Sequence, residues 1–227
     1  MEYILSPSLL ACDFSDIEEE LQQLKAAGVE WVHLDVMDGQ FVENISFGVP
    51  VIKSIRKKTD LFFDVHLMIV EPIRFVRQFV EAGANLISFH VEATDQVKET
   101  IDKIHSLGCK AGVVCSPDTD VEEILKYADQ VELLLIMSVH PGFGAQTYLE
   151  YCTAKIEKAR QYLNEKGLST YLEVDGGVNA STLKTVLKAG ANVIVAGNAA
   201  FSGGNIVANV EALRKAGEGS GEQNALT

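Results

Sequence analysis

His33-Leu34-Asp35 concentrates more chemistry than any other stretch of the chain. Residues two apart on a β-strand face the same side, so one strand offers an imidazole and a carboxylate together. His66 closes the run Leu-Phe-Phe-Asp-Val and Asp175 closes Tyr-Leu-Glu-Val, each an ionisable group at the end of a short apolar, β-rich segment. Taken singly, each is equally readable as a hydrogen-bonded core histidine or an aspartate capping the next helix. Taken together, His33, Asp35, His66 and Asp175 make an N2O2 donor set for one divalent cation. Zn²⁺, Fe²⁺, Mn²⁺ and Co²⁺ all suit it, and the ligand types do not choose among them.

A second group of candidates is glycine-rich: Pro141-Gly142-Phe143-Gly144-Ala145-Gln146, Asp175-Gly176-Gly177 and Ala196-Gly197-Asn198. Glycine lets backbone N–H groups close on an anion, and a helix N-terminus adds its positive end. Any one such pair is read just as well as a tight turn. Three after consecutive strands point to a phosphate site.

The elements that must position these groups follow from hydrophobic periodicity. Apolar runs over 3–10, 31–36, 61–67, 86–91, 110–114, 133–138, 171–175 and 193–197 predict strands. Amphipathic segments near 15–27, 49–58, 72–82, 95–107, 119–128, 149–166, 180–189 and 205–216 predict helices between and after them. Glycines 28, 83, 108, 167 and 190 each stand just before a predicted strand, where a left-handed residue ends a helix. Eight βα units favour a single-domain TIM (β/α)8 barrel over an open flavodoxin-like sheet, because closure removes both sheet edges. In such a barrel the chemistry lies at the C-terminal ends of the strands. Those ends carry Ser8, His33 and Asp35, His66, His90 and Glu92, Ser138 and His140, Asp175, and Gly197 with Asn198. Met37, Met68 and Met137, also at strand ends, read as core filling.

Composition bounds the partners. The 227 residues, 47% hydrophobic, suffice for one sizeable core over residues 1–216, and 217–227 reads as a loose, disordered tail. With 19 basic against 32 acidic residues the formal charge is −13, which argues against nucleic-acid and anionic-membrane surfaces. An anionic substrate must therefore be held by local donors. Cys12, Cys109, Cys115 and Cys152 show no C-x-x-C spacing and read as buried thiols in a reducing compartment. Residues 1–7 lack a basic region followed by an apolar stretch, and no apolar run approaches the roughly 18 residues of a membrane span. A cytoplasmic location is expected.

These motifs together resemble the ribulose-phosphate 3-epimerase family along nearly the whole chain, from Ser6-Pro7-Ser8 to Phe201. The matching stretches are His33 to Val42, Asp64-Val65-His66-Leu67-Met68, Pro141 to Gly144, Glu173 to Gly177 and Ala196-Gly197. The resemblance implies a (β/α)8 barrel that interconverts D-ribulose 5-phosphate and D-xylulose 5-phosphate with one bound divalent metal, in the pentose phosphate pathway. It implies that His33, Asp35, His66 and Asp175 are the metal ligands, with Asp35 accepting and Asp175 donating the proton. It further implies substrate contacts from Ser8, His66, Gly142, Phe143, Gly144, Ala145, Gly176, Gly177, Gly197 and Asn198, and a homo-oligomer between dimer and hexamer. Four positions depart from the family pattern: Glu43, His140, Ala145 and Asn198. They leave D-allulose 6-phosphate open as an alternative sugar. A related decarboxylase branch carries Asp-x-Lys-x-x-Asp, and Met37 at its lysine position counts against that chemistry.

Overall fold

Alternation along the second strand decides how the protein is layered. Trp31, His33, Asp35 and Met37 point one way and Val32, Leu34 and Val36 the other, so the strand is buried on both faces. The computed structural model describes residues 3–219. Within them, eight strands run β1 (Ile4–Pro7), β2 (Trp31–Met37), β3 (Phe62–Met68), β4 (Leu86–His90), β5 (Lys110–Cys115), β6 (Leu133–Met137), β7 (Tyr171–Asp175) and β8 (Val193–Ala196). All ladders are parallel in the order β1-β8-β7-β6-β5-β4-β3-β2, and a Ser8–His33 bridge brings β1 back to β2. The expected (β/α)8 barrel is what the chain forms.

The helices are α1 (Ile17–Ala26), α2 (Val49–Ile55), α3 (Val76–Ala82), α4 (Val97–Ser106), α5 (Glu122–Leu125), α6 (Cys152–Lys166), α7 (Leu183–Lys188), α8 (Asn198–Phe201) and α9 (Ile206–Gly217). Their apolar stripes pack on the outward strand residues, among them Leu34, Phe63, Val65, Ile87, Phe89 and Ile194. Glycines 28, 83, 108, 167 and 190 all take positive φ, as the helix-stop reading requires.

Element bounds differ from expectation where local bonding competes. Residues 9–11 leave β1 and form a helical turn, because the Ser8 side chain accepts the Leu10 N–H. Within residues 119–128 only Glu122–Leu125 is helical, and the N–H groups of Tyr127 and Ala128 bond three residues back in turns. Pro72 opens a separate turn before α3. The short α8 has no counterpart among the predicted helices. Of the expected tail, Gly217 ends α9, and 220–227 lie outside the described residues.

The barrel interior is stacked in three levels. Trp31 stacks on Phe62 at 4.0 Å and meets Tyr171 edge-on at 5.4 Å, plugging the lower end with aromatic surface. One residue pair higher, register sets His33 beside Asp64. The next pair, Asp35 and His66, opens the upper level. Water is thus excluded from below, and polar groups above can face only one another or the mouth.

Candidate active site

Two ring nitrogens and two carboxylate oxygens converge at the top of the barrel. His33 Nε2 lies 3.3 Å from His66 Nδ1 and 3.3 Å from Asp35 Oδ1, and Asp175 Oδ2 lies 3.9 Å from His33 Nε2. All four ligand atoms sit within 4.8 Å of one another, so the donor set read from sequence is brought together in space. Its geometry suits a cation: each residue turns one donor atom inward, and the His33 ring is fixed from behind by Asp64 Oδ2, 2.6 Å from Nδ1. That contact holds a proton on Nδ1 and turns Nε2 toward the cluster, where a bound cation would displace the Nε2 proton.

The charges are unequal. Asp35 is opposed by burial, yet His33 and His66 hold its carboxyl well below the usual range. Asp175, 16% exposed, is pushed up to about 7 by burial and by the charge of Asp35. Burial works against a charged His33, but Asp35 and Asp64 prevail and raise it well above the ordinary imidazole. At neutral pH the site therefore pairs an ionised carboxylate on β2 with one on β7 able to hold a proton.

Above the cluster opens a cavity of about 600 Å³. Ser8, Asp35, Gly142, Phe143, Gly144, Ala145, Asp175, Gly176, Gly177, Gly197 and Asn198 all line it, whereas His33 and His66 are fully buried beneath. Met37, Met68 and Met137 add an apolar wall. Among the described residues no lysine or arginine lines the cavity, so an anion there is met by neutral donors, backbone N–H groups and side chains such as Asn198 and Ser202. Gly177 shows why glycine is required: its φ is +67°, and a Cβ would collide with the Tyr148 backbone. The 142–146 loop is tied down by Gln146 Nε2, which donates to His140 O at 2.7 Å and Phe143 O at 2.9 Å, and by Asn44 Nδ2, which donates to Gly142 O at 2.9 Å. Of the four departures from the family pattern, Ala145 and Asn198 line the cavity itself. Glu43 and His140 line an adjoining groove with Phe41 and Glu92.

Asp64 and Glu173 were missed by the sequence reading, which treated their strands as otherwise apolar. Both are fully buried one level below the cluster, with Glu173 Oε1 3.6 Å from His33 Nδ1. The signal was present: each stands two residues before a site residue, His66 or Asp175, and so faces the same side. Burial and the neighbouring Asp64 raise the Glu173 carboxyl well above its ordinary value.

Barrel and site together place two carboxylates and a cluster of metal-ligand donors under one cavity at the C-terminal rim of the strands, an arrangement suited to acid–base chemistry. Comparison with known proteins carries this to the family. The model of the ribulose-phosphate 3 epimerase family matches residues 4–201. The chain is 46% identical over 202 residues to the chloroplastic ribulose-5-phosphate-3-epimerase of Arabidopsis thaliana, covering 88% of this chain and 72% of that one. To the ribulose-phosphate 3-epimerase of Treponema pallidum it is 44% identical over 201 residues, covering 88% and 92%. Among solved structures, a 3-hexulose-6-phosphate synthase superposes with a TM-score of 0.66 at 21% identity, covering 95% and 99%, which shows a shared fold. The chain belongs to the ribulose-phosphate 3-epimerase family.

Proposed function

We propose that the protein is a metal-dependent 3-epimerase that interconverts D-ribulose 5-phosphate and D-xylulose 5-phosphate by two-base proton transfer. The observation that carries this reading is the pairing of Asp35 and Asp175. They stand on separate strands and both line the cavity, and in the metal-free protein they are held on opposite sides of the ordinary carboxylate range. Inversion beside a ketone needs one group to take a proton from one face and another to return one to the opposite face. Ionised Asp35 takes the proton from C3, leaving an enediolate, and protonated Asp175 delivers its own; in the reverse direction the roles exchange. His33 Nε2, Asp35, His66 Nδ1 and Asp175 would hold a divalent cation, which when bound supplies Lewis-acid stabilisation of the developing negative charge. Ser8 donates to Asp35 and so aims it, and the glycine loops around residues 142–145, 176–177 and 197–198 receive the phosphate through main-chain donors. The methionine wall keeps water from the intermediate.

D-Allulose 6-phosphate is the second reading, favoured by the two departures that touch the cavity, Ala145 and Asn198. The four buried free thiols suit a reducing, cytoplasmic setting. Among the described residues no helix is long and apolar enough to cross a membrane. Exposed Phe14 and Ile45 on the loops after β1 and β2 support a homo-oligomer.

The test is a substrate panel on metal-stripped enzyme reconstituted with Zn²⁺, Fe²⁺, Mn²⁺ or Co²⁺ singly, run in deuterated water. The expected result is the highest kcat/KM on ribulose 5-phosphate, loss of activity on stripping, and deuterium at C3 of product. Full activity after chelation overturns the metal requirement. Product without solvent deuterium overturns the two-base scheme.

A further inference from the structure

His66 is braced differently from His33. Behind His33 stands a carboxylate, but behind His66 stands another imidazole, with His66 Nε2 and His90 Nε2 3.0 Å apart. Both rings are fully buried, with centroids 5.1 Å apart and an interplanar angle of 25°. Two ring nitrogens at that distance form a hydrogen bond only if one carries the proton and the other does not. The remaining contacts decide which. His66 Nδ1 belongs to the four-atom cluster, 3.2 Å from Asp35 Oδ1. A ligand nitrogen offers a lone pair, so the His66 proton is on Nε2. His90 Nε2 then accepts, and the His90 proton is on Nδ1. That atom lies 3.1 Å from Glu92 Oε2, with Ser116 Oγ at 3.3 Å as a further neighbour. Glu92 is itself fixed, since its Oε1 accepts the Ser116 N–H at 2.7 Å.

We propose that Glu92, acting through His90, is a positioning residue for the metal centre: the chain Glu92–His90–His66 sets the His66 tautomer and turns Nδ1 toward the cation. The inference rests on the metal reading above. It assigns a task to two polar residues at the end of β4 that neither ligate nor line the main cavity. A merely structural histidine pair would hold the core together whichever way the protons ran.

The test is a long-range ¹H–¹⁵N correlation on Zn²⁺-loaded protein labelled at histidine, which reads the tautomer of each ring directly, together with Co²⁺ affinity by competition with a chelator. In the wild type, His66 is expected to carry its proton on Nε2 and His90 on Nδ1. Glu92→Leu and His90→Phe should each weaken Co²⁺ binding by about 10- to 100-fold, the usual cost of losing an outer-shell partner. Glu92→Gln keeps an acceptor oxygen and should retain most of the affinity. A His90 proton on Nε2 in the wild type overturns the relay, and that measurement needs no variant. So does unchanged Co²⁺ affinity in Glu92→Leu and His90→Phe when the wild type binds one equivalent. If the wild type takes up no Co²⁺ or Zn²⁺, the metal reading itself falls, and the relay with it.

Discussion

Ser8 Oγ donates to Asp35 Oδ2 at 2.5 Å, across the seam where β1 meets β2. The same oxygen accepts the Leu10 N–H at 3.2 Å, so the turn after β1 and the candidate proton acceptor are aligned by one hydroxyl. A hydrogen bond to a charged group contributes about 1.5–3 kcal/mol. Ser8→Ala should therefore lower kcat by roughly 10- to 100-fold, on the arithmetic of 1.36 kcal/mol per factor of ten. KM should change less, because the loss falls on the orientation of Asp35. Steady-state kinetics decide this; a raised KM at unchanged kcat would instead make Ser8 a plain substrate contact.

Asp35→Asn and Asp175→Asn should each reduce kcat by about 10²- to 10⁴-fold, the range for loss of a general acid or base, with an unchanged circular dichroism spectrum. Near-normal turnover in either removes the two-base scheme. Asp175 adds a pH signature in metal-free protein. Its folded value of about 7 lies above the ordinary 3.8, so the folded state holds the proton more tightly than the unfolded state. The contribution of this group is complete below pH 3.8 and is lost as pH rises through 7. Asparagine has no such loss. Metal-free Asp175→Asn should gain stability over metal-free wild type across that window, by up to about 4 kcal/mol. Paired melts at several pH values measure it, and a difference independent of pH would contradict the raised value.

How much of this was legible in the sequence depended on whether a signal was local. The eight strands and five glycine helix stops follow from periodicity and from one backbone conformation, both set within a few residues. His33, Asp35, His66 and Asp175 were legible because each ends a strand, and in a closed barrel strand ends share one rim. Asp64 and Glu173 were not, because an acidic residue inside an apolar strand looks like an exception until register sets it beside His33. The role of Ser8 was read as substrate contact; its bond to Asp35 depends on a closure between residues 27 apart, which no local pattern encodes. The shortness of α5 has a similar cause, with competing turn bonds ending a segment whose periodicity alone suggested ten residues.

The buried acids below the cluster should behave differently from each other. Asp64 Oδ2 meets His33 Nδ1 at 2.6 Å, whereas among the described residues neither oxygen of Glu173 has a hydrogen-bond partner. Glu173 is held toward its neutral form, and glutamine is a neutral isostere. Glu173→Gln should then shift stability by less than about 1 kcal/mol and leave metal affinity unchanged. Asp64→Ala removes the acceptor behind His33 and should weaken metal binding by about 10- to 100-fold. Chelator competition and denaturant titration of both variants separate the two roles. Equal losses would show that the pair works as one unit.

Ala145 is the last case, and it sets stability against function in a single residue. Its φ of 60° is one of two positive values at non-glycine positions among the described residues, and it lies in the loop that lines the cavity. A side chain in that region costs about 1–2 kcal/mol. Glycine removes the strain but adds about 0.4–1 kcal/mol of unfolded-state freedom. Ala145→Gly should therefore be neutral to about 1.6 kcal/mol stabilising, by the difference of those two terms. The loop loses the restriction that pre-orders it, although Gln146 and Asn44 still hold its ends. KM for phosphorylated substrate should accordingly rise a few-fold while kcat stays near wild type, since no group that moves a proton is disturbed. Calorimetry and initial-rate kinetics on the one variant check both halves. A destabilised variant would show that the Ala145 methyl makes a packing contribution larger than its backbone strain, and an unchanged KM would detach the order of this loop from phosphate binding.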